Sequence, residues 1–181
     1  MVCFKTRYTV HGTLRSKDEA PRVFRRMLDH VRLLGYAVRR VRVDSDSVLL
    51  GELFKSVLRE CDIAEEVTAP YAHWQHGRIE RQWDTLLSMA LCLMRQAKLE
   101  NRYWSVAMEC AVYLRNRVPS AGAGGVPYRL VTGRDPNLTH LRVFGCPVYV
   151  HVDKSRRLKL DDRAWRGVFV GYSLVSPAWL I

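Results

Sequence analysis

The sequence predicts an α/β core followed by a small all-β unit, and three observations carry that prediction. Period-two and period-3.6 apolar patterns alternate from residue 6 to about residue 117. A flexible stretch, Ser-Ala-Gly-Ala-Gly-Gly from Ser120 to Gly125, then interrupts them. Beyond Gly133-Arg134-Asp135-Pro136 the periodicity turns strand-like, with Val143 to Val152 and Gly167 to Tyr172 as candidate strands. The expected division is therefore 1–135 and 136–181.

Residues 6 to 14 place Tyr8, Val10 and Leu14 on one side and Thr9, His11 and Thr13 on the other, which predicts a strand. Ser16-Lys17-Asp18-Glu19 matches a capping box, so a helix is expected to begin there, with Pro21 tolerated in its first turn. Apolar positions 20, 23, 24, 27, 28, 31 and 34 trace one face of it, and Gly35 supplies a left-handed stop. Tyr36 to Val43 predicts a strand that delivers Asp44. A short helix should then bury Leu50, Leu53, Phe54, Val57, Leu58 and Cys61, followed by an extended piece from Ile63 to Thr68 and a loop from Pro70 to Gly77. The longest helix, from about Arg78 to Ala97, is expected to bury Ile79, Trp83, Leu86, Leu87, Ala90, Leu93, Met94 and Ala97, leaving Glu80, Asp84 and Ser88 off the stripe. A last helix, from about Arg102 to Arg115, should bury Trp104, Ala107, Met108, Ala111 and Val112.

With 29 Lys+Arg against 18 Asp+Glu, the formal charge of +11 favours a polyanionic partner and a strongly salt-dependent association. Between Asp153 and Arg166 six Lys and Arg stand against three Asp, either a nucleic-acid contact or a solvated hairpin. The five cysteines are scattered singly, which argues against a disulfide framework and predicts a reducing, intracellular compartment. No stretch is apolar for long enough to span a bilayer, and the start has no signal-peptide layout.

Two carboxylates frame the centre of the chain. Asp44 closes a predicted strand, Glu80 opens the longest predicted helix, and one helix and one strand lie between them. An Asp at a strand end and a Glu in a first helical turn can converge on one point and hold a hard divalent cation through oxygens. Singly, each also has a plain structural reading, as a turn former and as a carboxylate favoured by the helix dipole. Beside Glu80, the run Tyr71, His73, Trp74, His76, Arg78 and Arg81 suits a DNA-facing surface, with aromatics stacking on bases and Arg on phosphate. The competing reading packs Trp74 in the core. His73, His76 and Cys61 do not make a structural zinc site, which needs four ligands at suitable spacing.

At these residues the chain resembles the integrase core of Copia-type LTR retrotransposons. Ala69-Pro70-Tyr71 and His76-Gly77-Arg78-Ile79-Glu80-Arg81 carry the likeness, with Tyr103-Trp104-Ser105-Val106-Ala107-Met108, Tyr113-Leu114-Arg115-Asn116-Arg117 and Pro127-Tyr128 downstream. Leu141-Arg142-Val143-Phe144-Gly145-Cys146-Pro147 and Gly167-Val168-Phe169-Val170-Gly171-Tyr172 follow in the family's order. The resemblance implies an RNase H-like integrase core, a mixed sheet flanked by helices, and then a partial SH3-like module. It also implies DNA integration by a DDE-type site in which two Mg2+ (or Mn2+) ions are held by three carboxylates. Asp44 maps onto the second Asp and Glu80 onto the Glu. The first Asp belongs on a strand upstream of Thr6-Arg7-Tyr8, and this chain is expected to lack that strand. It is likewise expected to stop before the β module is complete. DNA is the implied partner, a homo-oligomer the implied assembly, and the nucleus the implied site of action.

Two departures stand out: Ser45-Asp46-Ser47-Val48-Leu49 follows Asp44 where the family has a Gly and an acidic-aromatic pair, and His76 stands where it has Asn. Three readings follow: an integrase fragment, a catalytically inactive nucleic-acid-binding remnant of a transposable element, and an RNase H-type hydrolase acting on RNA. The downstream motifs give the third no support.

Overall fold

Strands β1 (Arg40–Val43) and β2 (Ala64–Val67) pair in parallel, in the register Arg40 with Ala64 through Val43 with Val67. Parallel neighbours require a crossover, and helix α2 (Glu52–Glu60) lies between them in sequence. The computed structural model describes residues 1–43, 51–67, 77–174 and 176–181. It divides into two compact units, Met1–Thr85 with Asn116–Asp135, and Leu86–Arg115 with Pro136–Ile181.

In the first unit, helix α1 (Ala20–Leu33) buries Ala20, Val23, Phe24 and Leu28. Phe24 meets Phe54 of α2 with ring centroids 4.8 Å apart, and Val43, Val57, Leu58 and Ile63 complete that core. Gly35 ends α1 as expected, with φ 84°, while the Gly35 and Tyr36 amides donate to the carbonyls of Arg32 and Val31. Leu53 is exposed, so α2 buries a narrower face than its sequence suggests.

Three local expectations need correction in this unit. The capping box does not close: Ser16 makes no side-chain cap, and the Glu19 carboxylate accepts from the Arg15 amide at 2.9 Å instead. A short 3-10 turn, Lys17–Glu19, takes the place of the first α-helical turn. Residues 6–14 form no strand either, only an isolated bridge between Val2 and Thr9. The reason lies in Asn116, whose side-chain amide accepts from the Thr9 N–H at 2.9 Å and donates to the Thr9 carbonyl at 2.8 Å. One buried side chain thus satisfies the two backbone groups that a neighbouring strand would have satisfied. Finally, helix α5 (Pro127–Thr132) was not foreseen; Pro127 starts it and Gly133, at φ 71°, ends it.

Helix α3 spans Gly77–Ala97, with residues 77–85 in the first unit and 86–97 in the second. Its buried row is Leu86, Ala90 and Met94, at i, i+4 and i+8. Ile79 and Trp83, expected on that row, are 45% and 46% exposed, and Leu87 is exposed too. The apolar stripe in the sequence is wider than the face that packs.

In the second unit, α4 (Trp104–Arg115) places Ala107, Met108, Cys110, Ala111 and Val112 in the core with Leu86, Ala90, Met94, Phe144, Phe169 and Tyr172. Trp104 stays exposed. Strands β3 (Pro147–His151) and β4 (Ala164–Val168) form an antiparallel hairpin, and β5 (Gly171–Tyr172) pairs with β6 (Trp179–Leu180). Gly145 has φ 81°, and a Cβ there would collide with Ala97, so this approach of chain to helix admits only glycine. An aromatic cluster completes the unit. Tyr113 stacks on Tyr172 at 4.1 Å and hydrogen-bonds His140 at 2.6 Å, and the Trp179 indole N–H donates to the His140 carbonyl at 3.1 Å.

Candidate functional site

β1 and β2 run the same way, so their carboxyl ends lie at one edge, the edge where open α/β sheets collect ligands. Residue 44 follows Val43 directly, at the end of β1. Asp44 itself lies outside the described residues, as do Tyr71, His73, Trp74 and His76. Glu80 and Arg81 are described, and both sit exposed in the opening turns of α3. Arg78 belongs to the first turn of the same helix.

Glu80 has no ion-pair partner among the described residues. It lies in the first turn of α3, where the helix's unsatisfied amides carry partial positive charge. The donor is a hard oxygen of the kind that Mg2+ and Mn2+ take. Among the described residues no group of three or more His, Cys, Asp or Glu is placed to hold a metal ion.

The start of α3 is anchored by a residue that the sequence reading passed over. Gln82 donates from Nε2 to the Thr9 hydroxyl at 3.2 Å, and that hydroxyl donates to the Arg7 carbonyl at 3.1 Å. Thr9 is also the residue whose backbone Asn116 holds. Three segments distant in sequence therefore meet at one buried threonine, and one of them holds it through Gln82, two residues after Glu80 on α3. His11 lies beside it, its ring 6.4 Å from that of Trp83, with Nε2 buried and without a hydrogen-bond partner among the described residues. Burial pushes the His11 imidazole down to about 4. A signal for Asn116 was available, since it sits in a quoted motif at the end of α4, yet nothing in a sequence says which backbone an amide will hold.

Residues 146–181 match the retroviral polymerase SH3-like domain. The chain is 34% identical over 161 residues, 88% of its length, to the retrovirus-related Pol polyprotein from transposon TNT 1-94 of Nicotiana tabacum, and covers 12% of that protein. It is 32% identical over 129 residues, 71% of its length, to the Pol polyprotein from transposon RE2 of Arabidopsis thaliana, and covers 9% of it. The chain thus spans only a small part of these curated relatives. Among solved structures, a chain of a simian T-cell lymphotropic virus intasome in complex with PP2A regulatory subunit B56 gamma superposes with a TM-score of 0.56 at 15% identity. The match covers 88% of this chain and 56% of that one.

The fold is that of a retroviral integrase core, with an SH3-like segment at the C-terminus. Taken with the Pol polyprotein relatives, these likenesses support a retrotransposon integrase fragment. Among the described residues no helix is long and apolar enough to cross a membrane.

Proposed function

We propose that this chain is a piece of a Copia-type, DDE-type integrase that acts on the DNA ends of an element and on target DNA, with 1–135 as its catalytic core and 136–181 as its SH3-like module. The observation that carries the reading is a parallel β1–β2 edge, ending one residue before Asp44, together with an exposed Glu80 in the first turn of α3 that has no ion-pair partner among the described residues. In this proposal Asp44 and Glu80 would hold Mg2+ or Mn2+, and the bound metal would activate a water or a DNA 3′-hydroxyl and stabilise the leaving oxygen. Gln82, two residues on, is tied to Thr9 and anchors the stretch of α3 that carries Glu80. Arg78 and Arg81 follow the phosphate backbone, and Tyr71, His73, Trp74 and His76 make the neighbouring DNA-facing run. Assembly as a homo-oligomer on DNA in the nucleus belongs to the same proposal.

A second reading, a catalytically inactive nucleic-acid-binding remnant, is favoured by the two departures from the family's pattern around the site, Ser45-Asp46-Ser47-Val48-Leu49 after Asp44 and His76 before Gly77. Asp44 and Glu80 are two members of a three-carboxylate unit, and loss of one member commonly removes most of the rate. The deciding experiment is a strand-transfer and 3′-processing assay, with Mg2+ or Mn2+, on this chain and on a version extended upstream by an Asp-bearing strand from a related element. The chain alone is expected to be inert. The extended version is expected to cut and join DNA and to lose both activities with Glu80→Gln. An inert extended version would leave the remnant reading standing.

A further inference from the structure

The β3–β4 hairpin carries a second candidate site, in the second unit and independent of Asp44 and Glu80. Beyond the strands the ladder continues, with the Val152 amide donating to the Arg163 carbonyl at 2.9 Å. Inside the connection two of the three carboxylates are used by the loop itself. Asp153 accepts from the Ser155 amide at 2.8 Å and its hydroxyl at 2.6 Å, which fixes the 3-10 turn Lys154–Arg156, and Asp161 accepts from the Leu158 amide at 2.7 Å. The six cations of the segment are left without an ion-pair partner among the described residues. Lys154, Arg156, Lys159, Arg163 and Arg166 stand exposed on an ordered frame, while Arg157 is half-buried.

Along this turn and β4 lies a groove of about 460 Å³ whose lining includes His151, Asp153, Ser155, Arg156 and Trp165, with the Asp153 carboxylate taken up by the Ser155 amide and hydroxyl. The Trp165 indole is 50% exposed, and it lies over Gly167, where a Cβ would come within 2.7 Å of its ring. A half-open indole and a guanidinium without an ion-pair partner among the described residues, lining one groove, fit a base on the ring and its phosphate on the cation. Phosphates are offered by paired and unpaired strands alike, whereas a duplex keeps its base faces stacked inside. The cations therefore set affinity for any polynucleotide, and the indole selects for unpaired bases.

From this geometry we infer that the Trp165–Arg156 groove binds a nucleotide of a single-stranded polynucleotide, with the base stacked on Trp165 and the phosphate held by Arg156. The chemistry is common to DNA and RNA strands. The opposite face of the hairpin, where Tyr149 stands across from Arg166 and is 74% exposed, is not part of the site.

The test measures fluorescence anisotropy of the whole chain with labelled oligo(dT), oligo(U) and a duplex of equal length. Trp165→Ala is expected to weaken binding to oligo(dT) or oligo(U) by about tenfold, and to the duplex by less than about threefold. Arg156→Ala should weaken both and lower the slope of log K against log salt by about one. Tyr149→Ala should leave single-strand binding within about twofold of the parent. Equal loss on single strands and duplex, or no loss on either, would overturn the inference. If Trp165→Ala fails to fold, Trp165→Phe supplies a second readout. Subtracting its emission from that of the parent isolates the Trp165 signal, which stacking should quench as oligo(U) is added; an unchanged difference spectrum would also overturn the inference.

Discussion

In the first unit, Arg22, Arg25, Arg32, Arg42 and Arg59 sit in ion pairs with Glu19, Glu60, Asp29, Glu66 and Glu52, at 2.6 to 3.4 Å where Arg25–Glu60 is set aside. In the second, the six cations from Lys154 to Arg166 have no such partner among the described residues, and two of their three neighbouring carboxylates, Asp153 and Asp161, bind loop amides and a hydroxyl instead. Exposed pairs contribute only about 0–1 kcal/mol each, so the contrast says little about stability. It says where the field of a +11 chain is concentrated. Paired charges cancel at a distance, while unpaired ones on an ordered loop add, and they draw a polyanion to one place.

The largest expected effect comes from breaking that contrast. Reversing Lys154, Arg156 and Arg166 to Glu together should weaken duplex DNA binding by roughly 10–100-fold at moderate salt, whereas reversing Arg22, Arg32 and Arg59 should cost clearly less. Filter-binding titrations at low and moderate salt would decide it. Equal losses would mean that the charge acts only as a total.

The next effect sharpens the first unit's own architecture. Asn116→Ala leaves the Thr9 N–H and carbonyl buried without partners and should destabilise by ~2–3 kcal/mol in urea unfolding. Asn116→Asp keeps the acceptor but turns a carboxylate oxygen toward the Thr9 carbonyl in a buried site, so near neutral pH it should cost at least as much as Asn116→Ala.

Acid should act through the same unit. The His11 imidazole is depressed to about 4 in the fold, and burial, with Arg117 nearby, lowers His30 as well. A base with a depressed folded value leaves the unfolded state binding more protons in between, so its contribution is whole above about 6.5 and is lost as pH falls toward about 4. Thermal melts across that range should record a loss of ~1–3 kcal/mol, and His11→Phe should flatten part of it. A melt unchanged by His11→Phe would show that other groups govern acid unfolding. Smallest of all, Arg25→Ala should leave the urea midpoint close to that of the parent, as loss of an exposed pair does.

Much of the helical architecture was legible. The face of α1, the stop at Gly35 and the span of α3 each follow from local spacing that the packed protein keeps, as does the Phe54, Val57 and Leu58 part of the α2 face. What misled was everything decided at a distance. Tyr8, Thr9 and Val10 read as strand and are indeed buried, but their backbone is completed by a side chain more than a hundred residues away. Ile79 and Trp83 read as core because their spacing matches Leu86 and Ala90, yet spacing fixes a face and not which part of it packs. Of the candidate site, Glu80 falls in the first turn of α3 as the sequence suggested, while Asp44 and the run from Tyr71 to His76 lie outside the described residues. The Trp165 groove was hidden for a further reason. A basic run in a sequence does not reveal whether its carboxylates neutralise the cations or tie down the loop.

Cys110 offers a final consequence. Its thiol is buried in the α4 core and pushed up to about 12 by that burial, whereas Cys3 and Cys92 are exposed. Thiolate is the reactive species, so alkylation of Cys110 has to wait for the helix to part from its surroundings. Once the two exposed thiols are blocked, the rate at which Cys110 takes up label becomes a clock for openings of the second unit, readable by mass spectrometry without a probe being engineered into the chain.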